Sequence, residues 1–223
     1  DDLDRGWEGK PIDIRRISAL LNALRDMSTD FRGLYFRVAL RADVYFLVRT
    51  SDESTDKIER AVVWYGWTNH EIFKILVKRV GTFFGRQITE RQLAGMQQWQ
   101  MSKVLDNIME PRFAGRGHWE NAPMYKVLLS LVRKRPRDLI KLCSDAATNA
   151  RRRDSELLAT VDFENSFESY SQGRLQDTVN EYRTELPAIE RLLLGMKPAR
   201  RERKAALGYQ YDTAKLLEKI STI

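Results

Sequence analysis

Two short runs, residues 34–40 and 61–67, most tightly limit what this chain can fold into. Leu34-Tyr35-Phe36-Arg37-Val38-Ala39-Leu40 is rich in β-branched and aromatic residues, follows a glycine and precedes charge; it is expected to be a mostly buried strand. Val62, Val63, Trp64 and Tyr65 predict a second short strand. Between them, residues 42–48 fit either a short helix or a continuation of the first strand, and residues 51–57 read as a polar loop.

Around these runs the apolar residues recur with helical spacing. Ile14, Ile17, Leu20, Leu21, Leu24 and Met27 form one stripe behind Pro11, a residue tolerated in a first helical turn. Thr68 and Glu71 form a capping box that predicts a helix through Val80, with Ile72, Phe73 and Leu76 inward and Gly81 closing it. From Thr89 to about Ile108 the pattern predicts one helix. Pro111, Gly115 and Gly117 then mark a loop over residues 110–120. Pro123 opens a helix carrying Val127, Leu128, Leu131 and Val132 on one face. Pro136 starts the next, with Leu139, Ile140, Leu142, Cys143, Ala146 and Ala147 inward and Arg151-Arg152-Arg153 at its basic end. Asp162 is expected to cap residues 163–170, Ser171-Gln172-Gly173 to break that helix, and residues 175–185 to resume it. Further helices are expected from Pro187 to Leu194 and from Asp212 to Ile220. No repeat of fixed period occurs. The expected fold is therefore mainly α with a small α/β part at the start, the switch falling near residues 81–89.

The 223 residues suffice for one sizeable domain or two small ones. No apolar run approaches the roughly 20 residues needed to cross a bilayer, so no membrane partner is expected. One cysteine, Cys143, cannot form an internal disulfide, and with only His70 and His118 beside it a metal enzyme is disfavoured. A reducing, cytoplasmic setting is the default expectation. Lys and Arg outnumber Asp and Glu by 38 to 31, a balance that suits a nucleic-acid or acidic partner without requiring one. The chain opens on Asp1-Asp2 rather than on Met and reads as a fragment.

If a strand preceded Asp1, the order strand, acidic tip, helix, strand would be a right-handed βαβ unit. Ligands of such sheets lie beyond the carboxyl ends of the strands, which would bring Asp1, Asp2 and Arg41 to one rim. That set suits magnesium-nucleotide chemistry. Asp1 would hold hydrated Mg²⁺, Asp2 would orient the attacking water, and Arg41 would meet the γ-phosphate. A plainer reading makes the acids a solvated chain end and pairs Arg41 with Asp43. Asp4 reads as a cap or ion-pair partner, Trp64, Tyr65 and Trp67 as packing, and Cys143 as a small core residue.

Asp1-Asp2-Leu3-Asp4-Arg5-Gly6-Trp7 resembles the tail of a Walker B motif in bacterial P-loop ATPases of the KAP, STAND and AAA+ kind. Leu40-Arg41-Ala42-Asp43 resembles the end of their sensor-1 strand, Trp67 and the helix after it the start of their helical lid. Lys134-Arg135-Pro136-Arg137-Asp138-Leu139 is similar to a sensor-2 helix start. The resemblance covers roughly residues 1–150. It implies a partial P-loop NTPase parallel sheet over residues 1–85, a helical lid over 86–155 and a further helical module over 156–223. It also implies ATP and Mg²⁺ as cofactors in the intact protein, Arg137 as a nucleotide-binding residue, and a homo-oligomer. No G-x-x-x-x-G-K-[ST] occurs in the chain, so the phosphate cradle would belong to a missing N-terminal half, and the chain alone should not hydrolyse ATP. The unpaired sheet edge is expected to be covered by that half. The alternative is a basic helical nucleic-acid-binding or protein-interaction module, with Lys197, Arg200, Arg201, Arg203 and Lys204 as its phosphate-tracking run.

Overall fold

The computed structural model describes residues 3, 7–51, 53–198 and 211–223. They fall into two compact units, Tyr65–Arg174 and Asp1–Trp64 with Leu175–Ile223.

In the unit that contains the chain ends, helix α1 (Pro11–Asp30) begins with Pro11 at a position where a missing N–H is harmless. It buries Ile17, Ser18 and Leu21. Helix α2 (Ala42–Ser51) settles the open choice at residues 42–48 in favour of helix and buries Val44, Tyr45 and Val48. Ile17, Leu21, Val44 and Val48 make a small core, with Trp7, Ile14, Leu40 and Ile58 packed against it. A 3-10 helix spans Glu53–Ala61 where a loop was expected.

The two expected strands are corrected. Residues 34–40 and 62–67 belong to neither helix nor ladder, and no strand or sheet exists among the described residues. Among the described residues the only bridges are isolated, Met109 with Leu158 and Arg112 with Pro123. Tyr35 and Tyr65 are each 91% exposed, and Leu34, Phe36, Val38, Val63 and Trp64 also face solvent. The physical reason lies in what strand propensity measures: a side chain's fit to a pleated surface that neighbouring strands must supply. No such neighbour is present among the described residues, so the small parallel sheet expected over residues 1–85 is not found there.

The other unit is mainly helical, with residues 106–123 outside any helix. Helix α3 (Asn69–Phe83) starts at the expected box: Thr68 Oγ1 accepts from the Glu71 N–H at 3.2 Å, and the Glu71 carboxylate accepts from the Thr68 N–H at 2.8 Å. The Thr68 N–H and then the Thr68 hydroxyl, which also donates to the carboxylate at 2.8 Å, hold the Glu71 carboxyl below its usual range. The single helix expected from Thr89 to Ile108 is corrected to α4 (Glu90–Gly95), α5 (Gln98–Ser102) and a 3-10 turn, Lys103–Leu105. Met96 is extended after Gly95, and Gln97 and Gln100 form a fresh box, so one helix stops and another is nucleated within three residues. Helices α6 (Met124–Leu131) and α7 (Pro136–Arg152) begin as the prolines require.

Helix α8 (Thr160–Tyr182) starts earlier than expected and runs unbroken through Ser171-Gln172-Gly173. A lone glycine costs a helix only about 1 kcal/mol, too little to end one that is packed. Its residues from Leu175 are counted with the other unit. Phe73, Leu93, Met101, Leu128, Leu142 and Phe163 are fully buried in one continuous core. Helix α9 (Ile189–Gly195) buries Ile189, and α10 (Thr213–Ser221), capped by Asp212 as expected, buries nothing among the described residues.

Candidate functional site

The turn between α6 and α7 concentrates charge: Arg133-Lys134-Arg135-Pro136-Arg137-Asp138. Lys134 turns the chain with a φ of 53°, in the left-handed region that a side chain seldom adopts. Pro136 then enters α7 at its first position, and Asp138 falls in the first turn, where a carboxylate meets the positive end of the helix. Asp138 is 0% exposed. A buried carboxylate survives only with partners, and these come from two directions. Arg174 Nη1, on α8, donates to Asp138 Oδ1, and Arg133 Nε lies 3.6 Å from Oδ2, an ion-pair rather than a hydrogen-bond distance. Tyr170 completes the cluster. Its ring lies 5.6 Å from the Arg174 guanidinium carbon and its hydroxyl donates to the Leu131 carbonyl at 3.3 Å. Burial, with the Asp138 charge adding to it, pushes the Tyr170 phenol up to about 12.

Arg137 stands exposed beside this anchored residue, as does Lys134. Two cations at the start of a 17-residue helix can attract an anion, because the first N–H groups carry no intrahelical partner. Arg137 is thus placed at a helix start as the sequence implies. What the sequence reading missed is the role of Asp138, which appears there only within the run that resembles a sensor-2 helix start. Its partner Arg174 lies 36 residues away and no local pattern announces it.

The other predicted residues fall elsewhere. Asp1 and Asp2, expected at the metal and the attacking water, lie outside the described residues, as do Asp4 and Arg200, Arg201, Arg203 and Lys204. Arg41 forms the plain ion pair. Its Nε donates to Asp43 Oδ1 at 3.1 Å and its Nη2 to Oδ2 at 2.5 Å, with Glu181 3.9 Å away. Arg41 and Arg137 belong to different units. Among the described residues no group of three His, Cys, Asp or Glu could hold a metal ion. Cys143 packs partly buried against the core, and desolvation pushes its thiol up to about 12. Trp64 meets the Tyr45 ring edge-on at 5.5 Å, while Trp67 is exposed.

A second polar cluster was also missed. Asp162, 1% exposed, accepts from Arg153 Nε at 3.2 Å and Nη2 at 2.7 Å, and from the Ala159 N–H at 2.8 Å. The Arg153 bond above all holds its carboxyl below the usual range. Asn149 Nδ2 donates to Ser166 Oγ and to the Asp162 carbonyl, both at 3.0 Å. Glu110 accepts from the Thr160 N–H and hydroxyl, and Thr160 Oγ1 accepts from the Ala114 N–H. These bonds clasp the 110–122 loop and the α7 terminus to the start of α8.

No helix among the described residues is long and apolar enough to cross a membrane. No solved structure matches the chain. It is 25% identical to the transposon gamma-delta 80.3 kDa protein of Escherichia coli (strain K12) over 85% of its own length, and spans a quarter of that relative. It is 26% identical to Allergen Alt a 2 of Alternaria alternata, over 65% of this chain and 67% of that protein. These descriptions name no ATPase of the KAP, STAND or AAA+ kind. Residues 70–179 match the model of a family described as a FunZ-associated C-terminal helical domain.

Proposed function

We propose that this chain is the downstream part of a P-loop ATPase, one that couples Mg-ATP binding and hydrolysis to movement of its helical domain. The observation that carries the reading is the start of α7, with Pro136 in the first position, Arg137 exposed and Asp138 fixed beneath it. An arginine so placed can hold a γ-phosphate before hydrolysis and lose it afterwards, which biases two positions of the helices that bear it. Two further observations support it. The Escherichia coli relative is about four times as long as the stretch it shares with this chain, which leaves room for a nucleotide domain outside that stretch. The matched family is described as a C-terminal helical domain.

Within this reading Asp1 holds Mg²⁺ together with groups supplied upstream, Asp2 orients the attacking water and Arg41 senses the nucleotide after leaving Asp43. Residues 34–40 and 62–67 pair with strands of the upstream half. The intact ATPase works in the cytoplasm, as a homo-oligomer. The test is turnover in the full-length protein. Asp2→Asn should retain nucleotide binding while hydrolysis falls by orders of magnitude, and the present chain alone should be inert. A full-length protein that neither binds nor hydrolyses ATP overturns the proposal.

One observation favours a second reading, a nucleic-acid-binding module. Residues 65–174 hold 18 Lys and Arg against 12 Asp and Glu, so this unit carries +6 of the chain's +7. A relative named for a transposon agrees with a nucleic-acid setting. Tight, salt-steep binding to DNA or RNA by this chain without nucleotide would support it.

A further inference from the structure

We infer that Asp138 is a positioning residue for Arg137, aimed by Arg174; this rests on the ATPase reading and adds a residue that the reading did not contain. Asp138 immediately follows Arg137 in the first turn of α7, so a fixed Asp138 backbone fixes the Arg137 Cα and the direction in which its side chain leaves the helix. Three features fix it. The carboxylate is fully buried, its Oδ1 is gripped by Arg174, and Arg133 stands 3.6 Å from Oδ2 on the other side. Arg174 is itself held against the Tyr170 ring, and Tyr170 is tied back to Leu131 at the end of α6. The anchor therefore reaches from the end of α6 through α8 to the first turn of α7, which brackets the turn that presents Arg137.

The burial also separates the two roles. Asp138 cannot meet a solvent-borne phosphate and would repel one, whereas Arg137 faces water and carries the opposite charge. A carboxylate acting only through its neighbour should matter only while that neighbour is present.

The test is a double-mutant cycle on ATP turnover in the full-length protein, with nucleotide binding measured alongside. Arg137→Ala is expected to lower kcat about 100-fold, the scale for loss of one charge-stabilising group. Asp138→Asn should lower kcat about 10- to 100-fold by misplacing that group. Adding Asp138→Asn to Arg137→Ala should lower it no further than about twofold. Where Asp138→Asn fails to fold, Arg174→Lys replaces it in the cycle, since it keeps the cation and loses the fork. If Arg137→Ala lowers turnover and the second substitution lowers it again by its full single-mutant factor, Asp138 is merely structural and the inference is overturned while the ATPase reading stands. If Arg137→Ala leaves turnover unchanged, Arg137 is no sensor and the assignment of Asp138 falls with it.

Discussion

Asp162→Asn should destabilise the helical unit by about 2 kcal/mol at neutral pH, and the loss should shrink toward zero in acid. The carboxylate takes two hydrogen bonds from Arg153 and one from the Ala159 N–H. Hydrogen bonds to a charged group contribute about 1.5–3 kcal/mol. Asparagine can still accept from Ala159 but presents an amide to the guanidinium. The figure stays near the low end because Arg153 is 44% exposed and can turn to water when released. The sign with pH follows from the carboxyl being held below its ordinary 3.8. The wild-type protein draws stability from this group above 3.8, and loses it as pH falls through the lowered value. Asparagine does not titrate. Urea denaturation of this chain and its variant, followed by circular dichroism at pH 7 and at about pH 2.5, measures both differences. With an m-value of about 2 kcal/mol/M, the neutral midpoint should fall by about 1 M. A shift of equal size at both pH values would show that the carboxylate charge is not what holds the Arg153 clasp.

Three further outcomes separate core from surface. Leu128→Ala, at a fully buried position on α6, should cost about 2–5 kcal/mol, whereas Tyr35→Ala should change stability by less than about 0.5 kcal/mol. Gly173→Ala should stabilise α8 by about 0.5–1 kcal/mol by thermal melting, because a methyl group there meets nothing within 4 Å. Cys143 should resist a disulfide-exchange reagent at pH 8 in the folded chain and react quickly in urea, since its thiol is pushed up to about 12.

Helix starts were legible wherever the chemistry that nucleates a helix is local. Pro11, Thr68 with Glu71, Pro123, Pro136 and Asp212 each open a helix within one or two residues of their expected place. Their signal is complete inside four residues: a fixed φ or a side-chain oxygen meeting a free N–H. Between residues 89 and 108 the same kind of signal was present in Gly95 and in the Gln97 box, but the apolar periodicity continued across the break and outweighed it. At Gly173 the error ran the other way, because a single weak residue was given more influence than the packed helix around it.

Strands and buried ion pairs differ from caps in needing a partner far along the chain. Residues 34–40 have the composition of a strand, but composition cannot supply the neighbouring backbone that makes one, so the same aromatic side chains stand in water. Asp138 and Asp162 illustrate the converse. Each carries the local signature of an acid in a first helical turn, worth a few tenths of a kcal/mol to about 1 if exposed. Arg174 and Arg153 turn them into buried anchors whose removal costs several times as much. The consequence for the candidate site is specific. Arg137 was put forward from the sequence because the run that suggests it is local. The residue argued to aim it was passed over because its meaning lies in a guanidinium 36 residues away.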